Sequence, residues 1–250
     1  MQGGKTLRYI LAILLIVAVA VVSGCAVQQQ TAAPTTEKEK AAPELYTRGE
    51  VKTAEEAKQL LVEGNQRYVT GKVLNDDLSS SKREDLVKKG QHPFATILTC
   101  SDSRVSPEIL FDQGLGDVFI IRTAGNVVEP VDIGSIEYGV EHLHTPVLVV
   151  MGHSNCGAVK ATVEAVEKGD KMEGNIGAIL TKIKPSVDKV KAAGASGDDL
   201  FKNAENENIK AVIAEIEAKS PVVKELVEQG KLKILGAKYH LDTGQVEWLE

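Results

Sequence analysis

Two short stretches of the chain carry residue types that bind a soft metal ion. In Cys100-Ser101-Asp102-Ser103-Arg104 a thiol and a carboxyl stand two residues apart, so extended backbone sends both side chains from one face. In Gly152-His153-Ser154-Asn155-Cys156-Gly157 an imidazole and a thiol stand three apart, where an apolar run gives way to helical periodicity. That spacing lets both turn towards one point. Two thiolates, one imidazole and one carboxylate form a tetrahedral set that suits zinc better than magnesium or calcium. Cys156 would also stand near a helix N-terminus, whose partial positive charge favours the thiolate. Each pair alone is a weak signal, but both follow strand-length apolar runs, and together they point to one site.

The elements that must hold these residues alternate between helix and strand. Thr53-Ala54-Glu55-Glu56 is a capping-box pattern that opens a helix towards Tyr68, with Leu60, Leu61 and Tyr68 on its apolar side. Residues 80–89 read as a second helix. Residues 94–99 and 118–121 are strand-length runs ending at Cys100 and Arg122, and 146–151 is a buried strand ending at Gly152-His153. Helical periodicity covers 134–143 and 158–167, then about 176–193 with Pro185 inside it. After a Gly-rich break at 194–197, a long helix is expected over 209–229, interrupted by Pro221. Residues 231–239 and 245–249, around Asp242-Thr243-Gly244, read as a terminal hairpin. Continuous apolar strands separated by helices predict an α/β fold: a mostly parallel central sheet with helices on both faces, an N-terminal helical arm and a C-terminal hairpin. In such sheets ligands bind beyond the carboxyl ends of the strands. Those ends are where Cys100–Arg104, Arg122-Thr123-Ala124-Gly125-Asn126 and His153–Gly157 fall.

The first residues read differently. Lys5 and Arg8 precede an apolar run over 9–22 that ends in Ser23-Gly24-Cys25, the pattern of a secretory signal over 1–24. The run is about fourteen residues, short of the roughly twenty needed to span a membrane as a helix. Val22-Ser23-Gly24-Cys25 resembles the lipobox of bacterial lipoproteins, which implies acylation of Cys25 and an extracytoplasmic protein held to a bacterial membrane by lipid. A permanent anchor helix, or a signal with an incidental Cys, are the alternatives. Residues 25–43, rich in Gln, Thr, Ala, Pro, Glu and Lys, read as a disordered tether, and 44–250 as one domain. The net charge is −6, and becomes about −8 without the signal, which excludes nucleic acid as an expected partner. With Cys25 acylated, Cys100 and Cys156 alone remain in an oxidising compartment. Cysteine count by itself then predicts a disulfide between them.

Taken in order, Cys100–Arg104, Arg122–Asn126 and Gly152–Gly157 resemble the signatures of the β-class carbonic anhydrases. The resemblance runs from about Thr53 to the terminal hairpin and includes Glu63-Gly64-Asn65-Gln66-Arg67-Tyr68. It implies that Cys100, His153 and Cys156 are constant zinc ligands and that Asp102 divides its time between the metal and Arg104. With Asp102 held by Arg104, the fourth zinc position is left to water, which zinc in carbonic anhydrases acidifies to a pKa of about 7 for attack on carbon dioxide. Bicarbonate and a proton result. The resemblance further implies that Gln91 donates to a substrate oxygen and that Phe119 and Tyr138 line the pocket, partly from a neighbouring subunit, so a homodimer or higher homo-oligomer is expected. It makes His142 a candidate proton shuttle. Read without it, Phe119 and Tyr138 are core packing and Gln91 and His142 are solvated polar residues. Two other functions stay open: hydrolysis of carbon disulfide or carbonyl sulfide by the same residues, and a non-catalytic zinc or disulfide protein. Asp102, Arg104 and Gln91 speak against the last, since a disulfide scaffold needs none of them. Residues 168–208 carry no signature.

Overall fold

Strand order follows from which apolar runs can be covered on both sides. A computed structural model describes residues 48–249 except Asn75 and Met172. The expected signal, the lipidation at Cys25 and the tether lie outside the described residues. The sheet has five strands: β1 (Ala95–Thr99), β2 (Val118–Arg122), β3 (Val147–His153), β4 (Lys233–Tyr239) and β5 (Val246–Leu249), in the order β2-β1-β3-β4-β5. The first four are parallel, and β5 pairs antiparallel with β4 through the expected hairpin. Strands β1 and β3 are buried along their whole length, as their mostly apolar runs lead one to expect.

Alternation along the strands sorts side chains to two faces. Ala95, Ile97, Val147, Val149, Met151 and Ala237 face a cluster that includes Ala57 and Leu61 of helix α1 (Ala54–Thr70) and Leu110 of the short helix α3 (Pro107–Leu110). Leu98, Leu148 and Val150 face the other way. There they meet Ile133 and Ile136 of α4 (Pro130–Glu137), Val140 of the π-helical turn Tyr138–His142, Ile209, Val212 and Ile216 of α7 (Gly197–Lys219), and Val223 of α8 (Pro221–Glu228). Helix α2 (Ser80–Lys89) buries no residue, while α5 (Gly157–Lys168) and α6 (Gly174–Ala192) form a third cluster at the carboxyl edge of the sheet.

The N-terminal helix is docked on its own sheet. The Thr53 hydroxyl and the Glu56 carboxylate complete the expected capping box, and Leu61 is fully buried, which stabilises by about 2 kcal/mol. Asn65 donates to the carbonyls of Leu110 (3.0 Å) and Gly244 (2.8 Å) and accepts from the Val246 N–H (2.9 Å), so it pins the helix to α3 and to the hairpin. A Cβ on Gly64 would overlap the Phe111 carbonyl, so glycine is what lets the two helices approach.

One helical expectation needs correction. The long helix begins at Gly197, not near 209, and ends at Ser220, whose hydroxyl accepts from the Val223 N–H and caps α8. Helix α3 was not foreseen, because four residues are too few to show a period. Pro185 does not end α6. Its neighbours Ile183 and Val187 are fully buried, and their packing offsets the roughly 3 kcal/mol that an interior proline costs.

Candidate metal centre

Register brings the three polar clusters to one edge. Thr99 of β1 stands opposite Arg122 of β2 and Met151 of β3, so Cys100, Thr123 and Gly152-His153 follow at the same level. Cys100, His153 and Cys156 are all buried, and their ligand atoms lie within 4.8 Å of one another. Both thiols are free, so the disulfide suggested by cysteine count is absent.

The surroundings of each donor are set by backbone. The Gly125 N–H donates to Cys100 Sγ at 3.3 Å. Gly125 has φ 69°, and a Cβ there would come within 2.7 Å of Ile183 and 3.1 Å of Ala158, so only glycine fits the turn that presents this N–H. His153 Nδ1 lies 3.0 Å from the Ser154 carbonyl, which can only accept, so Nδ1 carries the proton. That leaves the Nε2 lone pair facing the thiols, buried and without a hydrogen-bond partner. Cys156 caps α5 from extended backbone, with its N–H bound by Glu205. Val127, Val159, Ile183 and Val187 pack around the two thiols and keep that side dry.

Asp102 is held apart from these three. Its Oδ1 accepts from Arg104 Nε and from the Arg104 N–H, both at 2.9 Å, and its Oδ2 accepts from Arg104 Nη2 at 2.8 Å. Oδ2 remains 3.9 Å from His153 Nε2, close but not hydrogen-bonded. The bidentate guanidinium of Arg104 is the main reason that the carboxyl lies well below the usual carboxylate range, and it outweighs burial. Arg122 stiffens the same turn by donating to the carbonyls of Cys100 (3.2 Å) and Asp102 (2.6 Å).

Without a metal the two sulfurs share one proton. Hydrogen bonding from the Cys156 thiol lowers Cys100 to about 4 against the cost of burial, with help from His153 and the Gly125 N–H. The same contact with Cys100, together with burial, pushes Cys156 up. Burial alone would lower His153, but the Cys100 sulfur beside it wins and raises it. Thiolate absorbance of the metal-free protein should therefore rise by one thiolate near pH 4, with the second appearing only well above the ordinary thiol range. Equal titration of both thiols near their ordinary value would contradict this.

The donor set fits zinc: two sulfurs and one imidazole nitrogen, converging and buried, with one nitrogen lacking any other partner. The carbonic anhydrase family profile matches residues 95–246. A carbonic anhydrase of Mycolicibacterium smegmatis is 40% identical over 187 residues, covering 75% of this chain and 89% of that relative. The chain belongs to the β-class carbonic anhydrases. Carbonic anhydrase 2 of Mycobacterium tuberculosis is likewise 40% identical, over 74% of this chain and 87% of its own length. Among solved structures, a Coccomyxa β-carbonic anhydrase in complex with acetazolamide aligns with a TM-score of 0.59 at 30% identity, covering 76% of this chain and 84% of that one. This carbonic anhydrase is thus a zinc-dependent lyase that interconverts carbon dioxide and bicarbonate.

Four residues singled out in the sequence do not join the centre within one chain. Phe119 pairs with Thr96, three positions before Arg122, and so lies about 10 Å back along β2. Its ring meets that of Tyr138 (6.0 Å between centroids), and Tyr138 in turn meets His142 (5.3 Å), by the sheet face that Ile133, Ile136 and Val140 cover, with Tyr138 47% exposed. Gln91 is exposed just after the end of α2. Sequence reading missed three residues that do reach the centre, namely Glu205, Asn208 and Lys238. Their signal is faint: polar positions on the same stripe of α7 as Ala204, Ile209 and Val212, and a lysine inside an apolar strand.

Proposed function

We propose that this carbonic anhydrase holds its zinc with Cys100, His153 and Cys156, keeps Asp102 off the metal through Arg104, and works outside the cytoplasm tethered by a lipid on Cys25. The observation that carries the reading of the centre is the bidentate Asp102–Arg104 pair beside three converging donors. Bound there, zinc acts as a Lewis acid on water and makes it a nucleophile at neutral pH. The chain's own residues do the rest. Gly125 and the N-terminus of α5 orient the thiolates, the Ser154 carbonyl fixes the tautomer of His153, and Arg104 decides whether Asp102 competes as a fourth ligand.

Oligomerisation belongs to the same reading. The Phe119–Tyr138 pair sits on an unpaired strand edge, and in a homodimer or larger assembly it would line the neighbour's pocket, where Gln91 and His142 would find their roles as donor and shuttle. The lipid anchor is supported by the Val22–Cys25 pattern and the basic start of the chain.

Metal and thiol content, measured together, test the centre. One zinc per chain and two reactive thiols after anaerobic denaturation are expected from the mature protein, with rapid carbon dioxide hydration in stopped flow. No zinc and no free thiol would overturn the reading, and preferential turnover of carbon disulfide would reassign the substrate. Cys25→Ser should move the chain from the membrane to the soluble fraction. An unchanged membrane pool would overturn the anchor.

A further inference from the structure

Glu205, Asn208 and Ile209 occupy one turn of α7, a helix that supplies no ligand, yet Glu205 reaches a ligand's backbone and the other two reach glycines that adjoin the remaining ligands. Glu205 Oε1 accepts the Cys156 N–H at 3.2 Å. Asn208 Nδ2 donates to the Gly125 carbonyl at 2.9 Å, and the N–H of that same glycine donates to Cys100 Sγ. Ile209 packs on Gly152, next to His153, so tightly that a Cβ there would come within 2.8 Å of its Cδ1. Residues i, i+3 and i+4 share a helix face, which is how one turn serves three contacts.

Behind the turn lies an ion pair. The second oxygen of Glu205 is 2.7 Å from Lys238 Nζ, and the two side chains are only 2% and 6% exposed. Lys238 stands opposite Gly152 in the β3–β4 register, so the pair closes the side of the centre away from Asp102. Buried ion pairs are weak stabilisers and are often bettered by apolar residues of similar size. One placed directly on a ligand's N–H calls for another explanation.

We infer that this turn of α7 positions the zinc centre, with Glu205 as the positioning residue for Cys156. Glu205 fixes the peptide that carries the ligand, and Lys238 cancels its charge so that no unpaired carboxylate lies behind two thiolates. The inference rests on Cys156 being a ligand. If the pair only fastened α7 to β4, its loss would change stability and leave the metal untouched.

Two double variants separate these roles. Glu205→Gln with Lys238→Met removes both charges and keeps an oxygen for the Cys156 N–H; Glu205→Leu with Lys238→Met removes the acceptor as well. Zinc affinity is read by competition with a chromophoric chelator, ligand geometry by the visible bands of the cobalt form, and stability by metal-free melting. The first double should bind zinc within about threefold of wild type with normal cobalt bands. The second should bind ten- to a hundredfold more weakly, with altered bands, the range found for outer-shell partners of metal ligands. Equal zinc affinity in the two doubles would overturn the inference. Should the Leu variant fail to fold, Glu205→Asp decides, because it keeps the charge but shortens the reach: weaker zinc binding at unchanged metal-free melting is expected, and wild-type affinity would overturn it. A wild-type chain that bound no zinc would instead overturn the ligand assignment.

Discussion

Cys156→Ala should fold, bind zinc at least about a hundredfold more weakly, and hydrate carbon dioxide no faster than buffer. Structural zinc sites are worth about 10–16 kcal/mol shared over their ligands, so one ligand carries some 3 kcal/mol or more, at 1.4 kcal/mol per factor of ten. Folding should survive because the small apolar replacement stays among Val127, Val159 and Ile183, and α5 keeps its neighbours. The measurement is zinc per chain after dialysis against a weak chelator, followed by stopped-flow hydration. Retention of stoichiometric zinc with wild-type affinity would show that Cys156 is not a ligand. Affinity should also fall with falling pH in wild type, since the contact with Cys100 and burial keep the proton on Cys156 and the metal must displace it.

Arg104→Met should lower turnover about ten- to a hundredfold while leaving one zinc per chain, the effect expected when a partner that orients a would-be ligand is removed. Asp102 would lose both guanidinium hydrogen bonds and keep only the bond from the residue 104 N–H, so it becomes free to compete for the metal. The metal-free protein offers an independent check by pH. Arg104 holds the folded Asp102 below its unfolded value, so the pair's contribution to stability is complete above about pH 4 and is lost as pH falls further. Wild type should therefore lose melting temperature more steeply than Arg104→Met below about pH 4, and the two should converge in strong acid. Parallel curves, or a variant with undiminished turnover, would remove Arg104 from the mechanism.

The sequence made the front of this centre readable and hid its back. Strands β1, β2 and β3 were visible because strands within a parallel sheet are mostly apolar, and their ends fixed where Cys100, Arg122 and His153 would meet. The ligands themselves are chemically distinctive. By contrast, residues 197–208 look like a solvated stretch, and the helix there was placed twelve residues late. Leu200, Phe201 and Ala204 are its only apolar signals in the first turns, and the β3, β4 and α5 surfaces that bury Glu205 and Asn208 come from remote parts of the chain. A carboxylate reads as exposed until its lysine is known to lie beside it, and Lys238 arrives thirty-odd residues later on a different element. Phe119, Tyr138, Gln91 and His142 were legible as types, but within one chain they lie away from the three donors.

Asp102 and Arg104 hang from one tight turn, with a single residue between them and the N–H of the second bound to the carboxylate of the first. In the proposed exchange of Asp102 between Arg104 and the metal, side-chain torsions would suffice, where lids and hinged domains need microseconds to milliseconds. Such a gate would be an equilibrium set by local charge: it would fix what fraction of molecules is competent, with no segment of backbone to open or close.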